Sequence, residues 1–353
     1  MWQKVNKWKW IICSIVCILL RISLPATFVE KYYSLGLFRI IRNLFDYTLG
    51  KLPFPSYYLF LLFLIVIVTK WILHFFREKP EPLLSRVFKI FSFVGFLTTF
   101  FFILWGFNYG RIPIEQNLKL NVSEISETEL NTEIDTTVEK LTTIRNSIKN
   151  DTSSLPQIVF VNNIEENCSV AINEVLLKMN YHTSTVRGRF VIDDMFLVFG
   201  IGGQYLPFVG EGNVDDAVFY SKKPFYLIHE MTHGNGFTEE AECNFMAYVA
   251  CVQSDKLPLQ YSGELNYLLY LLSALKQSNE EEFDKTILKL PFVIKKDLEE
   301  IRLYNLKHDF KIAIIGDAIN NIYLKINGVK DGTKNYDKMM LLIYAWKHNN
   351  TKS

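Results

Sequence analysis

The segment from His229 to His233 holds the residue types and spacing best suited to chemistry. It reads His-Glu-Met-Thr-His, so two imidazoles are four residues apart and a carboxylate, Glu230, directly follows the first. Residues four apart lie on one face of a helix, so both imidazoles can reach a single cation while Glu230 lies beside them. This spacing is typical of a zinc site with a neighbouring carboxylate base. We therefore predict that His229 and His233 bind Zn2+ and that Glu230 is the catalytic residue.

A third ligand must come from elsewhere, because a catalytic zinc ion takes three protein ligands and keeps one position for water. Residues 237–248 are predicted to form a second helix with acidic residues at its start. Glu240 is the favoured ligand, because Asn244 follows it by one helical turn and its amide can orient a ligand histidine. Glu242 is the alternative, and Glu239 falls where a third ligand lies in a longer spacing of this kind. These acids can also simply stabilise a helix N-terminus.

Helices are expected to surround this motif on both sides. Apolar residues recur at helical spacing, and the predicted helices lie at about residues 130–144, 165–179, 265–275, 295–326 and 336–346. The convincing β-rich region is residues 189–219, which contains two runs of apolar residues punctuated by glycines. The predicted domain is therefore α+β and mainly helical, with a small β-region before the active-site helix.

The β-rich region supplies candidates for substrate binding. Its stretch from Gly203 to Phe208 can present an open strand edge to a substrate backbone, as peptide-binding grooves do, or be an ordinary core hairpin. Tyr205, Glu211 and Asn213 are the candidate substrate-binding residues, although Glu211 and Asn213 can instead cap a turn.

The first 110 residues contain three apolar stretches near the length needed to cross a bilayer, at about residues 10–25, 57–76 and 87–107. We predict three transmembrane helices in a membrane region of residues 1–110, followed by a catalytic domain of residues 111–353. The first stretch can alternatively be a cleaved signal peptide, because lysines precede a short apolar core.

The positions of the cations predict the orientation, because Lys and Arg are retained on the cytoplasmic side of a membrane. Those beside the first stretch are Lys4, Lys7 and Lys9, and those between the second and third are Arg77, Lys79 and Arg86. They predict an internal N-terminus and an extracytoplasmic catalytic domain on a bacterial plasma membrane. Four further cations spread along the first loop weigh against this orientation.

Charge and cysteine content exclude other classes of protein. The net charge of +1 provides no broad positive field, so nucleic acid is not an expected partner. Two of the five cysteines lie inside the first apolar stretch, and the remaining three are an odd number that does not describe a disulfide framework. The membrane stretches contain no acidic relay, which argues against a transporter.

Several segments resemble one known family. They are Val29–Ser34, Trp105–Tyr109, Gly203–Glu211 and, most closely, His229–Phe245. These are similar to the bacterial membrane proteins grouped as domain of unknown function 3810, which resemble gluzincin-type metallopeptidases, and the resemblance covers nearly the whole chain. It implies a zincin-like metallopeptidase fold. The family pattern Glu-x-Glu-Ala-Asn-Phe has Cys243 here in place of the alanine.

We therefore predict a membrane-anchored, zinc-dependent peptidase that acts on a peptide or protein. Glu230 would take a proton from the attacking water and pass it to the leaving amine. The alternative is a non-catalytic membrane scaffold or sensor domain that retains the fold, but a structural zinc site is closed by four ligands and has no need of Glu230. Tyr205, His308 and Tyr336 are candidates for stabilising the oxyanion.

Overall fold

The structure is a computed structural model, and it describes residues 2–77, 82–308 and 335–349. It is mainly helical and contains a small three-stranded sheet. The chain divides into two compact units. The first unit is Met1–Ile112 with Leu206–Glu211, and the second unit is Pro113–Tyr205 with Gly212–Ser353.

The first unit is built from helices. They are α1 (Trp2–Ser23), α2 (Ala26–Phe28), a π-helix (Val29–Leu37), α3 (Phe38–Tyr47), a 3-10 turn (Leu49–Lys51), α4 (Tyr57–Arg77), α5 (Leu83–Leu104) and a second 3-10 turn (Gly106–Gly110). The segment 206–211 is held in this unit by three contacts. Arg42 donates to the Gly210 carbonyl, the ring of Phe208 stacks on another aromatic ring at 5.0 Å, and Glu211 accepts the backbone N–H of Ser56 at 3.1 Å.

One helix of the described residues, Leu84–Leu104, is long and apolar enough to cross a membrane, with a mean hydropathy of 2.1. The helices Trp8–Ser23 and Ala26–Lys51 qualify only as a pair, and they meet at an angle of 111°. Pro25 lies at this break, where its missing N–H interrupts the helix. Tyr57–Leu73 is apolar but shorter. The described chain therefore contains one candidate span, or two if the bent pair is one span, and three crossings stay a prediction.

The second unit contains the remaining helices. They are α6 (Ile114–Asn117), α7 (Glu127–Ile148), α8 (Gln157–Val161), α9 (Ile164–Lys178), α10 (Lys223–Gly234), α11 (Glu240–Gln253), α12 (Leu257–Ser278), α13 (Glu280–Lys289), α14 (Phe292–Lys307) and α15 (Asn335–Asn349). Four predicted helices correspond to α7, α9, α12 and α15. The fifth, residues 295–326, begins within α14, and its part from residue 309 lies outside the described residues.

The helices α10 and α11 form the centre of this unit's core. Pro224 lies in the first turn of α10, where a missing N–H costs nothing, and Gly236 follows the end of the helix with a φ of +88°. Residues 241–251 of α11 are all buried, with α9, α10, α12 and α15 packed around them. A fully enclosed helix holds its side chains in fixed directions, which a metal site requires.

A three-stranded sheet precedes α10, with strands β1 (Gly188–Val191), β2 (Gly203–Leu206) and β3 (Glu211–Asp215) in the order β1-β3-β2. β1 and β3 are parallel, with Gly188 opposite Gly212 and Val191 opposite Asp215. The buried Asp215 carboxylate organises the connection between β1 and β2. It accepts backbone N–H groups at 2.7–3.1 Å from Asp194, Phe196, Leu197 and Ala217.

The sheet lies directly on α10 because two strand positions have no side chain. A Cβ on Gly212 would come within 2.7 Å of the Glu230 Cβ and 2.9 Å of the Glu230 carbonyl carbon. A Cβ on Gly203 would come within 2.7 Å of Glu230 Oε1. Glycine in a strand often marks a close approach of this kind. The position of Glu230 therefore depends on these two glycines.

Substituting Gly212 with alanine should destabilise the second unit. The new methyl group meets helix backbone, which cannot move aside as a flexible side chain can, so we expect a loss of about 1–3 kcal/mol in the free energy of unfolding. Thermal and urea unfolding of the purified protein measures this loss. Gly36→Ala is the control, because its Cβ would meet only the Lys31 carbonyl at 3.6 Å. Equal stability of Gly212→Ala and wild type would contradict this packing.

Candidate metal centre

Three side chains from α10 and α11 converge on one point. His229 and His233 lie one turn apart on α10, and Glu240 is the first residue of α11. The two Nε2 atoms are 3.1 Å apart, and the Glu240 carboxylate oxygens lie 3.1 Å from Nε2 of His229 and 3.6 Å from Nε2 of His233. Ligand atoms about 2.0–2.1 Å from a tetrahedral zinc ion lie about 3.3 Å from one another. The cluster therefore has the dimensions of a zinc site.

The second nitrogen of each imidazole is held by an oxygen atom. His229 Nδ1 lies 2.8 Å from Asn244 Oδ1, and His233 Nδ1 lies 2.9 Å from the Phe237 carbonyl. Because these oxygens can only accept, each Nδ1 carries the hydrogen and each Nε2 presents a lone pair. Two lone pairs 3.1 Å apart repel each other unless a cation lies between them. The donor set therefore fits a metal ion.

The electrostatics of the cluster also favour a positive charge. The surrounding protein would raise the pKa of Glu240, but His233 and His229 hold this pKa well below its usual range. The Glu240 side chain keeps 38% of its surface exposed, so one side of the cluster is open to solvent. A water molecule or a substrate can approach from that side.

The two rival carboxylates are engaged elsewhere. Glu242 is buried, and its Oε1 accepts the backbone N–H of Ile114 at 2.7 Å. Glu239 pairs with the ammonium group of Lys338 at 2.8 Å. Among the three carboxylates proposed from the sequence, Glu240 is the one that joins the histidines.

Glu230 is buried between α10 and the sheet, with 4% of its surface exposed. The backbone N–H of Tyr205 donates to its carboxylate, and within the described part of the chain its Oε2 has no hydrogen-bond partner. Burial raises the pKa of Glu230 to about 7, against the lowering effect of the two imidazoles. A carboxyl group with a pKa near neutrality can both take up and return a proton.

Cys243 lies beside the cluster but on the wrong side of an imidazole for binding the same ion. Its Sγ is 3.2 Å from His233 Nδ1 and 3.5 Å from the Phe237 carbonyl. Burial raises the pKa of this thiol to about 12, so it stays protonated. The Phe237 carbonyl was missed by the sequence analysis, because a backbone acceptor has no signal of its own in the residue types.

The proposed substrate-binding residues lie on the neighbouring strands β2 and β3, and each is buried. Tyr205 is buried in β2 and reaches Glu230 through its backbone, Asn213 is fully buried in β3, and Glu211 is bonded to Ser56 in the first unit. Of the oxyanion candidates, His308 pairs with Asp194 at 2.7 Å, and the side chain of Tyr336 lies outside the described residues. Gln204, which is exposed on β2, was not singled out from the sequence.

A family model described as "Protein of unknown function (DUF3810)" matches residues 33–344, which include the whole cluster. The chain belongs to this family. The match confirms the resemblance to domain of unknown function 3810 that the sequence segments indicate, whereas the description of the family names no activity. Neither a comparison with curated proteins nor one with solved structures found a match.

Metal titration of single variants tests the ligand set of this family member. If the cluster holds zinc as the sequence predicts, His229→Ala, His233→Ala and Glu240→Ala should each abolish stoichiometric zinc binding, because each would remove one of the three predicted ligands. Asn244→Ala should weaken binding by about ten- to a hundredfold, since it removes a partner that orients His229. His308→Ala is the matched control and should bind zinc as wild type does. Zinc loss in His308→Ala equal to that in His233→Ala would refute the assignment.

Proposed function

We propose that the protein is a zinc-dependent hydrolase of the metallopeptidase type, with a zincin-like fold. The observation that supports this most is the convergence of three ligand atoms beside a buried carboxyl group that has an unused oxygen. A structural zinc site would need four ligands and no such carboxyl group. When bound, zinc supplies a Lewis acid that polarises a carbonyl and makes a coordinated water acidic.

In this proposal, the residues of the chain divide into three roles. His229, His233 and Glu240 hold the metal ion, and Asn244 keeps the first imidazole in the orientation that exposes Nε2. Glu230 accepts a proton from the attacking water on Oε2 and later donates it to the leaving amine. In the metal-free protein, burial raises the pKa of Glu230 to about 7, which keeps its protonated form accessible near neutral pH.

The sheet supports a peptide or protein as the substrate. β2 is an edge strand, and within the described residues it pairs with β3 alone. An extended peptide can add to such an edge through main-chain hydrogen bonds. The N–H of Tyr205 on this strand already reaches the Glu230 carboxylate, so a peptide lying along β2 would pass close to the reacting groups.

Glu230→Gln should keep zinc and lose hydrolysis. The amide has the shape of the carboxylate but cannot accept the water's proton, and loss of general acid–base catalysis costs about 10²- to 10⁴-fold in rate. Zinc content and cleavage of a fluorogenic peptide library measure the two properties separately. Glu174→Gln on the exposed face of α9 is the control and should match wild type. Equal cleavage rates for Glu230→Gln and wild type would refute the mechanism, and zinc-loaded wild type without any cleavage would favour a scaffold or sensor.

We further propose that the protein is anchored in the bacterial plasma membrane with its second unit outside the cytoplasm. The apolar helix Leu84–Leu104 supports a membrane anchor. The orientation rests on the cations of residues 4–9 and 77–86, which favour the cytoplasmic side.

Reporter fusions test this orientation. Alkaline phosphatase fused after Ser353 should be active, because it folds only outside the cytoplasm, and the same reporter after Pro80 should be inactive. A fluorescent protein that folds only inside should give the opposite pattern. Inactive phosphatase at Ser353 together with a fluorescent fusion there would place the metal centre in the cytoplasm and overturn the orientation.

A further inference from the structure

The first turn of α11 is fixed on the side that faces away from the histidines. Glu242, two residues after Glu240, is 7% exposed and accepts the N–H of Ile114 at 2.7 Å. Ile114 is the first residue of α6, and its side chain is 1% exposed within the core of the second unit. This hydrogen bond therefore connects the first turn of α11, which carries Glu240, to a residue that is packed in the core.

A second connection leads to the same place. Glu239, which directly precedes α11, pairs with Lys338 at 2.8 Å, and Lys338 also pairs with Glu115 at 3.2 Å. Glu115 is the neighbour of Ile114 in α6. The acids on either side of Glu240 are thus both tied to residues 114–115, one directly and one through Lys338.

This arrangement determines the direction of the Glu240 carboxylate. Residues two apart in an α-helix point about 200° away from each other, so fixing Glu242 on one side turns Glu240 toward the other. We propose that Glu242 is a positioning residue, which uses Ile114 as its fixed point to hold Glu240 against the two histidines. The proposal rests on the proposed function, because it takes Glu240 to be a metal ligand.

The two connections contribute unequally to the positioning of Glu240. The bond from the Ile114 N–H to Glu242 is buried, so water does not compete for either partner, and breaking it would leave a buried donor unsatisfied. The ion pairs of Lys338 are partly exposed and screened by solvent, and such pairs contribute little. Glu242 therefore does most of the positioning, and Glu239 assists.

Metal binding at Glu240 and the hydrogen bond of Glu242 must stabilise each other. If the Glu242 bond favours metal binding at Glu240, metal binding must equally favour the Glu242 bond. The amide of Ile114 should therefore exchange its hydrogen more slowly in the zinc-bound protein than in the metal-free protein. This can be measured in the unmodified chain.

The experiment measures zinc affinity in the full-length protein by competition with a chelator, together with the absorption spectrum of the cobalt-substituted protein. Glu242→Ala should lower affinity by about three- to tenfold, below the effect of removing a direct partner of a ligand histidine. It should also shift the cobalt bands, because Glu240 approaches the metal differently. Glu242→Gln should keep the wild-type zinc affinity and cobalt spectrum, since its amide oxygen still accepts the Ile114 N–H. Lys338→Met should change affinity by less than about twofold.

Several results would overturn the proposal. These are wild-type affinity and spectrum in Glu242→Ala, equal losses in Glu242→Ala and Glu242→Gln, or zinc-independent exchange of the Ile114 amide. If Glu242→Ala does not fold, two measurements still test the positioning role. They are the zinc affinity of Glu242→Gln and the zinc dependence of amide hydrogen exchange at Ile114 in the wild-type protein. Wild-type protein that binds no zinc would refute the proposed function itself, whereas normal zinc binding with no effect of Glu242→Ala would refute only the positioning role.

Discussion

Two hydrogen bonds on the outer side of the imidazoles control what the cluster can bind. Asn244 and the Phe237 carbonyl accept the Nδ1 hydrogens of His229 and His233, and both Nε2 lone pairs are then directed at one point. Without these acceptors either ring could turn or exchange its proton, and the pair would lose its common target. Both acceptors belong to the connection and helix that follow α10. The position of α11 against α10 therefore decides whether the cluster can hold a metal ion, and the packing of four other helices around α11 maintains that position.

The same packing explains why a carboxyl group sits beside the cluster with a perturbed pKa. Gly203 and Gly212 let the sheet approach α10 so closely that Glu230 is removed from water. Burial of a carboxyl group disfavours its charged form, which raises its pKa, and the neighbouring imidazoles limit that rise. A buried carboxyl group with one oxygen that makes no hydrogen bond destabilises a fold. Its presence next to three convergent ligand atoms is the kind of local conflict that functional sites retain.

The sequence predicts those relations in the site that lie within a single helix, because helical geometry fixes them locally. The spacing of His229 and His233, and that of Glu240 and Asn244, each follow from one helix, and these four residues do come together. The sequence could not indicate that Glu242 bonds to a backbone amide 128 residues away, because that contact depends on tertiary packing. The predominance of helix and the small sheet were predicted from periodicity. Three membrane crossings were predicted from the lengths of apolar stretches. The length of a stretch gives no information about the 111° bend that follows the first helix.

X-ray absorption at the zinc edge of the zinc-loaded protein counts the atoms bound to the metal and distinguishes sulfur from nitrogen or oxygen. The imidazole orientation described above predicts a first shell of nitrogen and oxygen alone at about 2.0–2.1 Å, with outer-shell scattering from two imidazoles. Cys243, which faces Nδ1 of His233 and not the cluster, should contribute nothing. A sulfur atom at about 2.3 Å from zinc would mean that the thiol is a ligand and that His233 is turned, and it would contradict the ligand set of His229, His233 and Glu240.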